Sequence, residues 1–413
     1  MTSTKQDIPP TQDIVRTPSY YVRKRLFSNV LAVAGLVYII LACIVALLGY
    51  FIMPDSTPNV NERADEISLQ KPGFQVLILK IRQNREIPKV NLFQKWLFGQ
   101  ESEYRIKPIE SYRIQGLDVF VKVFAQGGTE VSYSLVDLTK PLYVGETNLL
   151  GGKKFEVQGN VIRYVDVHGK IQTTTREELI SEFEKKCLEK RTYWLGTDKA
   201  GRDVLSRLIF GVRISLGIGI VSVIISLLVG VTLGSIAGFF GGIVDSLVMW
   251  LMTVIWSIPG IMLVIAISLA LGKGVLVAFI AIGLTTWVEI ARVVRGQIMS
   301  IKQKQFVEAA RALGMNNAQI IFRHVLPNTT GPVIVIMTSN FASAILTEAG
   351  LSFLGLSARP PVPSWGNMVN EGLAYITTDF HLVLFPSLCI ALMVLAFNLF
   401  GNGLRDAYDP KGK

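Results

Sequence analysis

The most informative run of side chains lies between Phe306 and Asn328, in the order Phe-Val-Glu-Ala-Ala-Arg-Ala-Leu-Gly-Met-Asn-Asn-Ala-Gln-Ile-Ile-Phe-Arg-His-Val-Leu-Pro-Asn. Its residue types suit mechanical rather than covalent work. Glu308 to Leu313 is made of good helix formers, Gly314 can take the left-handed conformation that ends a helix, and Asn316 or Asn317 can cap the next one. Ile320, Ile321 and Phe322 give the second helix an apolar patch, and Pro327 is expected to stop it. A helix, a glycine break and a second short helix form a rigid knob, able to fit a groove in a soluble motor and to pass on its displacement.

Other reactive constellations are missing from the sequence. No Gly-x-x-x-x-Gly-Lys-Ser/Thr loop is present to cradle nucleotide phosphates, so ATP and magnesium would have to be bound by partner subunits. The hydrophilic stretch 55–195 has no Ser/His/Asp or metal-spaced set, and His168 is its only histidine. Cys43 and Cys389 fall in apolar runs, whereas Cys187 stands alone in the hydrophilic stretch without a disulfide partner or a zinc spacing. No catalytic, cofactor-binding or metal-binding residue is assigned.

The elements that must position the knob are membrane spans. Half of the residues are apolar and 17% are charged, against roughly 25% charged in an average soluble protein. Six runs approach the ~20 apolar residues that a helix needs to cross hydrocarbon: Val30–Met53, Val212–Phe239, Leu247–Leu271, Val275–Val294, Pro332–Leu346 and Leu382–Phe400. The fourth contains Glu289 and Arg292, so it either ends before them or turns them toward protein. The fifth is short and should borrow from its flanks.

Net charge is +10, and its location argues for a membrane rather than nucleic acid. Arg23-Lys24-Arg25 stands directly before the first span. Six Lys or Arg and one acid, Glu308, lie between Arg292 and Asn328, whereas the connection around Lys273 has a single charge. Both basic segments should face the cytoplasm, which places both termini inside. The first span is expected to stay as an anchor, since a polar stretch precedes it and no small-residue cleavage pattern follows.

These features divide the chain into a cytoplasmic tail 1–29, unstructured at least through residue 20, and a first transmembrane helix 30–53. An extracytoplasmic insertion 54–195 and a core 196–413 follow, the core holding five spans and the cytoplasmic loop 296–328. The insertion reads as α+β. Phe155–Gly159 and Val161–Val167 alternate apolar and polar, His168-Gly169 makes a turn before Ile171, and a helix capped by Thr175 should run from Arg176 to Leu188. Phe74–Lys80 is a further strand candidate.

The basic loop resembles that of ABC importer permeases, which has Glu-Ala-Ala, three residues, Gly, nine residues and then Ile-x-Leu-Pro. Glu308, Ala309, Ala310, Gly314, Leu326 and Pro327 fall in register, and His324 stands at the Ile position, as in the peptide and nickel branch. Leu195-Gly-Thr-Asp-Lys-Ala-Gly-Arg-Asp203 through Gly211 is similar to the second, "C"-type permease of that branch. Val204, Leu205, Leu208 and Ile209 share one helix face there and Arg202, Asp203, Ser206 and Arg207 the other, as in a short helix lying on the outer membrane surface without contacting ligand. Leu346 to Ser357, followed by Pro360-Pro361-Val-Pro-Ser-Trp-Gly366, resembles the outer loop before the last span and reads as a stiff re-entrant loop. In it Glu348 and Trp365 are candidates for an outer gate or solute contact, against the plainer role of pairing within the loop.

The resemblance covers 190–410 closely and 1–54 loosely, and leaves out the insertion. It implies an all-α polytopic membrane protein of type I importer fold with six transmembrane helices and an inserted α+β domain, in a bacterial cytoplasmic membrane. The implied activity is ATP-driven import of di- or oligopeptides, with a nickel or other small-solute importer as the alternative. Implied partners are a second permease, two ATP-hydrolysing subunits and an extracytoplasmic solute-binding protein, with Glu308, Ala309, Ala310, Gly314, Ile320, Ile321, Phe322, Leu326 and Pro327 coupling the chain to the ATPase. A rival from another class is a membrane-anchored sensor or enzyme that works through 55–195.

Overall fold

The structure, a computed structural model, describes residues 18–124, 128–145, 149–272, 274–357 and 361–409. The tail 1–17, Lys273 and Pro360 lie outside the described residues. The described residues begin with α1 (Pro18–Ser28), which places residues 18–20 in a helix rather than in the unstructured segment expected through residue 20. Arg25 donates from Nη1 to the carbonyl of Asp409 at 2.8 Å, tying this helix to the other end of the chain. α2 (Val30–Ile52) is the first span, started by the Asn29 side chain accepting from the amide of Ala32.

The insertion holds β1 (Phe74–Arg82), α3 (Leu92–Phe98), β2 (Tyr104–Gln115), β3 (Asp118–Val123), β4 (Glu130–Ser134) and α4 (Leu135–Thr139). β5 (Phe155–Gln158), β6 (Val161–Val165), β7 (Ile171–Thr175), α5 (Arg176–Glu182) and β8 (Leu188–Tyr193) complete it. One antiparallel sheet has the order β4-β3-β2-β1-β8 and the other β5-β6-β7. β1 alternates strictly: Leu77, Leu79 and Ile81 face a core with Ile109, Val121, Leu138, Leu179 and Phe183, whereas Phe74, Val76 and Ile78 face Ala64 and Ile67. The β5–β6 hairpin, the turn before Ile171 and the Thr175 cap are where the sequence puts them, and Thr175 and Glu178 form a reciprocal capping box. The regular α-helix ends at Glu182, a wider turn carries Phe183–Cys187, and Leu188 already belongs to a strand. Cys187 is fully buried, its thiol pushed up to about 11 by burial, which fits an inert packing role.

The first and last strands of the insertion pair with each other, with Phe74 opposite Tyr193. The two connections that lead back to the membrane also run side by side. The amide of Leu69 donates to Asp198, that of Thr197 to Gln70 and that of Ala64 to Ala200. Gly201, at φ 65°, lies so close to the Ala64 carbonyl that a Cβ there would overlap it.

The rest of the chain is helical: α6 (Val204–Phe240), α7 (Gly242–Trp256), α8 (Gly260–Leu271), α9 (Val275–Ile301), α10 (Gln305–Ala312), α11 (Asn317–Ile320), α12 (Thr330–Phe353), α13 (Trp365–Leu373) and α14 (His381–Tyr408). Among the described residues five helices are long and apolar enough to cross a membrane, and a sixth span arises if the bent pair α7 and α8 counts as one. That pair corrects the expected straight span 247–271. Pro259 cannot continue the ladder of the preceding helix, and the two pieces meet at 89°. The surface helix expected before the second span is likewise not separate, because α6 runs unbroken from the Asp203 cap to Phe240.

α9 continues through Glu289 and Arg292. Arg292 lies 3.8 Å over the ring of Trp256, and Arg295 forms a two-pronged bond to Asp245 at 2.5 and 2.6 Å, so these guanidinium groups meet α7 rather than lipid. α6 and α9 approach backbone to backbone through Gly230, Gly234 and Gly238. A Cβ at Gly234 would lie 2.5 Å from the Ala291 carbonyl, and one at Gly238 2.8 Å from that of Arg295. In lipid, where burial alone gives helices no reason to associate, such small-residue faces let dispersion act over a long seam. Gly234→Leu should therefore overpack the seam by about 1–3 kcal/mol and lower the thermal unfolding midpoint in detergent. Gly217→Ala, whose Cβ would meet open space, should leave it unchanged or slightly raised.

Candidate functional site

The knob takes the helix–break–helix form. α10 ends with Leu313 donating to Ala309, Gly314 to Arg311 and Met315 to Ala310, and Gly314 sits at φ 80°, a conformation that costs other L-residues steric strain. Of the two candidate caps, Asn316 is the one used: its side chain accepts from Gln319 at 2.8 Å, and Gln319 Oε1 accepts from the Asn316 amide at 3.0 Å. Pro327 does not stop the second limb. It lies at the start of a helical turn, Leu326–Thr329, where a missing N–H is tolerated, and the chain stays helical from Asn317 through Phe353. The knob is thereby continuous with the span α12.

The site residues inferred from the sequence divide into two groups. Ala310, Ile320 and Ile321 are buried with Val307 and Val325 against Phe239 of α6 and Ile290, Val294 and Ile298 of α9. They fasten the knob to its own spans, and Leu326 is half-buried beside them. Glu308, Ala309, Gly314, Phe322 and Pro327 face outward. The expected apolar patch is therefore turned inward except for Phe322, and the exposed apolar groups are Phe306, Leu313 and Phe322, the last two 84% and 72% exposed. Leu313 went unnoticed because a leucine in a helical repeat reads as core.

At the other end of the bundle, Glu348 and Trp365 are brought together, but both are buried. Glu348 belongs to α12 rather than to a loop. It accepts from Ser352 at 2.5 Å, with Ser357 at 3.5 Å and Ser364 linked through Ser352 at 3.0 Å. Trp365 begins α13 and donates from Nε1 to the Leu208 carbonyl of α6 at 3.0 Å. Both are shielded from solvent in this chain, and their contacts join α12, α13 and α6.

The polar face assigned to a surface helix is also buried. Arg202 donates from Nε to Asp198 at 2.7 Å and from Nη2 to Glu371 at 2.9 Å. Arg207 bonds through Nη1 to Asp198 and, at 2.9 Å, to Glu371. Two guanidinium and two carboxylate groups thus close a neutral quartet between the start of α6 and α13. Burial alone would raise the Asp198 carboxyl, yet Arg207 and Arg202, with the amides of Ala200 and Arg202, hold it below its ordinary value. Glu371 could not be placed from sequence, since it lies far along the chain from the arginines it neutralises.

A third feature was also missed. A cleft of about 940 Å³ opens between α9, α12 and α14 on the knob side, lined by Gln297, Thr338, Ser339, Asn398, Asn402 and Arg405 among others. The readable signal was Asn398 and Asn402, four residues apart and so on one face of an otherwise apolar helix.

Residues 230–413 match the family described as the binding-protein-dependent transport system inner membrane component, and residues 17–72 match the N-terminal TM domain of oligopeptide transport permease C. Over 221 residues the chain is 44% identical to the glutathione transport system permease protein GsiD of Pectobacterium atrosepticum, covering 54% of this chain and 73% of that protein. The chain belongs to this family of ABC importer permeases. The dipeptide transport system permease protein DppC of Alkalihalophilus pseudofirmus is 43% identical over 73% of its length. The oligopeptide transport system permease protein OppC of Bacillus subtilis is 40% identical over 72% of its length. Both matches cover 54% of this permease.

Because the permease buries Asp198 between two arginines, Asp198→Asn strands them, and loss of one partner from such a pair costs about 3–5 kcal/mol. A depressed carboxyl pKa contributes stability above the ordinary carboxylate value of about 3.9 and loses it below. Thermal unfolding of wild type and Asp198→Asn should thus differ widely at neutral pH and converge as pH falls below about 4.

Proposed function

We propose that this permease carries peptides across a bacterial cytoplasmic membrane as one half of a heterodimeric channel. ATP and magnesium are bound by two partner ATPase subunits, and solute is delivered by an extracytoplasmic binding protein. The observation that carries the mechanical part is the continuous helical run from Asn317 to Phe353, which passes through a wider turn at Ile321–Val325 and a tighter one at Leu326–Thr329. A displacement at the exposed Phe322 is passed along this run to Glu348, and one at Glu308 or Leu313 enters it across the Gly314 turn. The printed names of the relatives, glutathione, dipeptide and oligopeptide permeases, support the solute class. The cleft supports it chemically, since side-chain amides and hydroxyls can exchange hydrogen bonds with the peptide groups common to such solutes whatever their side chains.

A second permease is supported by Glu289, which is exposed in the isolated chain although it sits within a span. A carboxylate facing lipid is expensive, whereas one facing a partner helix or a hydrated pathway is not. The basic residues beside the knob support a cytoplasmic position for it and for both termini, with the insertion outside.

Two substitutions test the coupling. Gly314→Val forces a β-branched residue into the left-handed region at about 1–2 kcal/mol. It should leave membrane insertion intact while abolishing uptake of a labelled dipeptide in cells lacking the native gene; normal uptake would refute the reading. Leu313→Asp, which puts a charge on the exposed apolar tip, should reduce co-purification of the ATPase subunits, and unchanged recovery would remove the tip from the interface.

A further inference from the structure

The insertion carries one surface for which the transport reading has no use. In α3, Leu92, Phe93, Trp96 and Leu97 fall within an arc of about 140° at ~100° per residue, with Gln94 and Lys95 outside it. Leu92 and Phe93 are 77% and 65% exposed, and Phe98 at the end of the helix is 68% exposed. A soluble domain seldom leaves so much large apolar side chain in so few residues uncovered. Helix formation here is specified locally, by a capping box between Asn91 and Gln94 and a break at Gly99.

The neighbours of α3 say what covers it. Trp96 donates from Nε1 to the carbonyl of Leu47 at 2.5 Å, and Leu47 lies five residues before the end of α2 at Ile52, about 7 Å below it at ~1.5 Å per residue. From α6, Arg213 donates to the Trp96 carbonyl at 2.7 Å and holds its guanidinium 4.9 Å from the Trp96 ring. Arg213 is followed by an uncharged run to Phe240, so it marks the level at which that span leaves hydrocarbon. Leu47, Leu48 and Phe51 are exposed on α2 as part of a membrane-spanning surface, and the apolar arc of α3 continues that surface sideways. A tryptophan with a flanking arginine and lysine at this level has the amphipathic composition suited to the lipid headgroup zone.

We propose that α3 is an interfacial helix, with Leu92, Phe93 and Trp96 lying in the boundary between phospholipid headgroups and acyl chains. It fixes the insertion against the bilayer in addition to the two connections that tether it to α2 and α6, the first of which meets the end of α3 where the Gln100 amide donates to the Ser56 carbonyl at 3.0 Å. A short amphipathic helix binds lipid weakly by itself, but this one is delivered to the surface by the chain it belongs to.

The test uses the full chain in phosphatidylcholine nanodiscs, with lipids either plain or brominated near the headgroup. Phe93→Trp adds a fluorescent reporter at an exposed position without removing a hydrogen bond, and Val157→Trp on β5 supplies a reference in water. The emission added at position 93 should be blue-shifted and lose roughly half or more of its intensity in brominated lipid, with little loss to aqueous iodide. The reference should respond to iodide alone. The emission removed by Trp96→Phe should show the same dependence on brominated lipid. Quenching of the Phe93→Trp reporter by iodide without a bromine effect would overturn the proposal, leaving the face in water. Protection from both quenchers would also overturn it, since protein rather than lipid would then cover the helix.

Discussion

The close approach of α6 and α9 is the contact on which the rest of the molecule rests. Three glycines spaced by four residues let the two helices meet along their length, and no side chain stands between the Gly234 position and the Ala291 carbonyl. On one side of this seam α9 holds α7 through Arg292 and Arg295. Along the same seam the two helices offer Phe239, Ile290, Val294 and Ile298 to the knob. A membrane interior gives little help from the hydrophobic effect, so the seam must be built from shape, and small residues are the way sequence writes shape.

Two kinds of fastening follow from it. At the knob end the contacts are apolar, a buried cluster around Ile320, Ile321 and Val325. At the end that carries the insertion the contacts are ionic: Asp198, Arg202, Arg207 and Glu371 each pair with two partners of opposite charge. α12 joins the two ends, with Val333 in the knob-side cluster and Glu348 in the serine cage. The two ends of the molecule are thus different in chemistry as well as in place.

Most of the membrane architecture was legible from the sequence because long apolar runs have a single physical solution in lipid. The knob was legible as well, through Gly314 and its flanking helix formers. What sequence concealed were relations between distant residues. Nothing near Arg202 and Arg207 announces Glu371, so their face read as solvated. The bend at Pro259 was hidden by the unbroken hydropathy of 247–271. Pro327 misled in the opposite direction, because a proline that stops one helix is equally suited to the first turn of the next. Ile320 and Ile321 read as a patch for a partner, and only the fold reveals that α6 and α9 already occupy it.

The pairing of β1 with β8 brings together the places where the chain leaves and rejoins the membrane, Phe74 opposite Tyr193. To the helices, a domain of well over a hundred residues therefore looks like a hairpin loop. Within it α3 reaches past that hairpin to bond α2 and α6, whereas the strands can change sequence without the spans registering the difference. A permease built this way can remodel what it presents at its surface while its moving parts stay as they are.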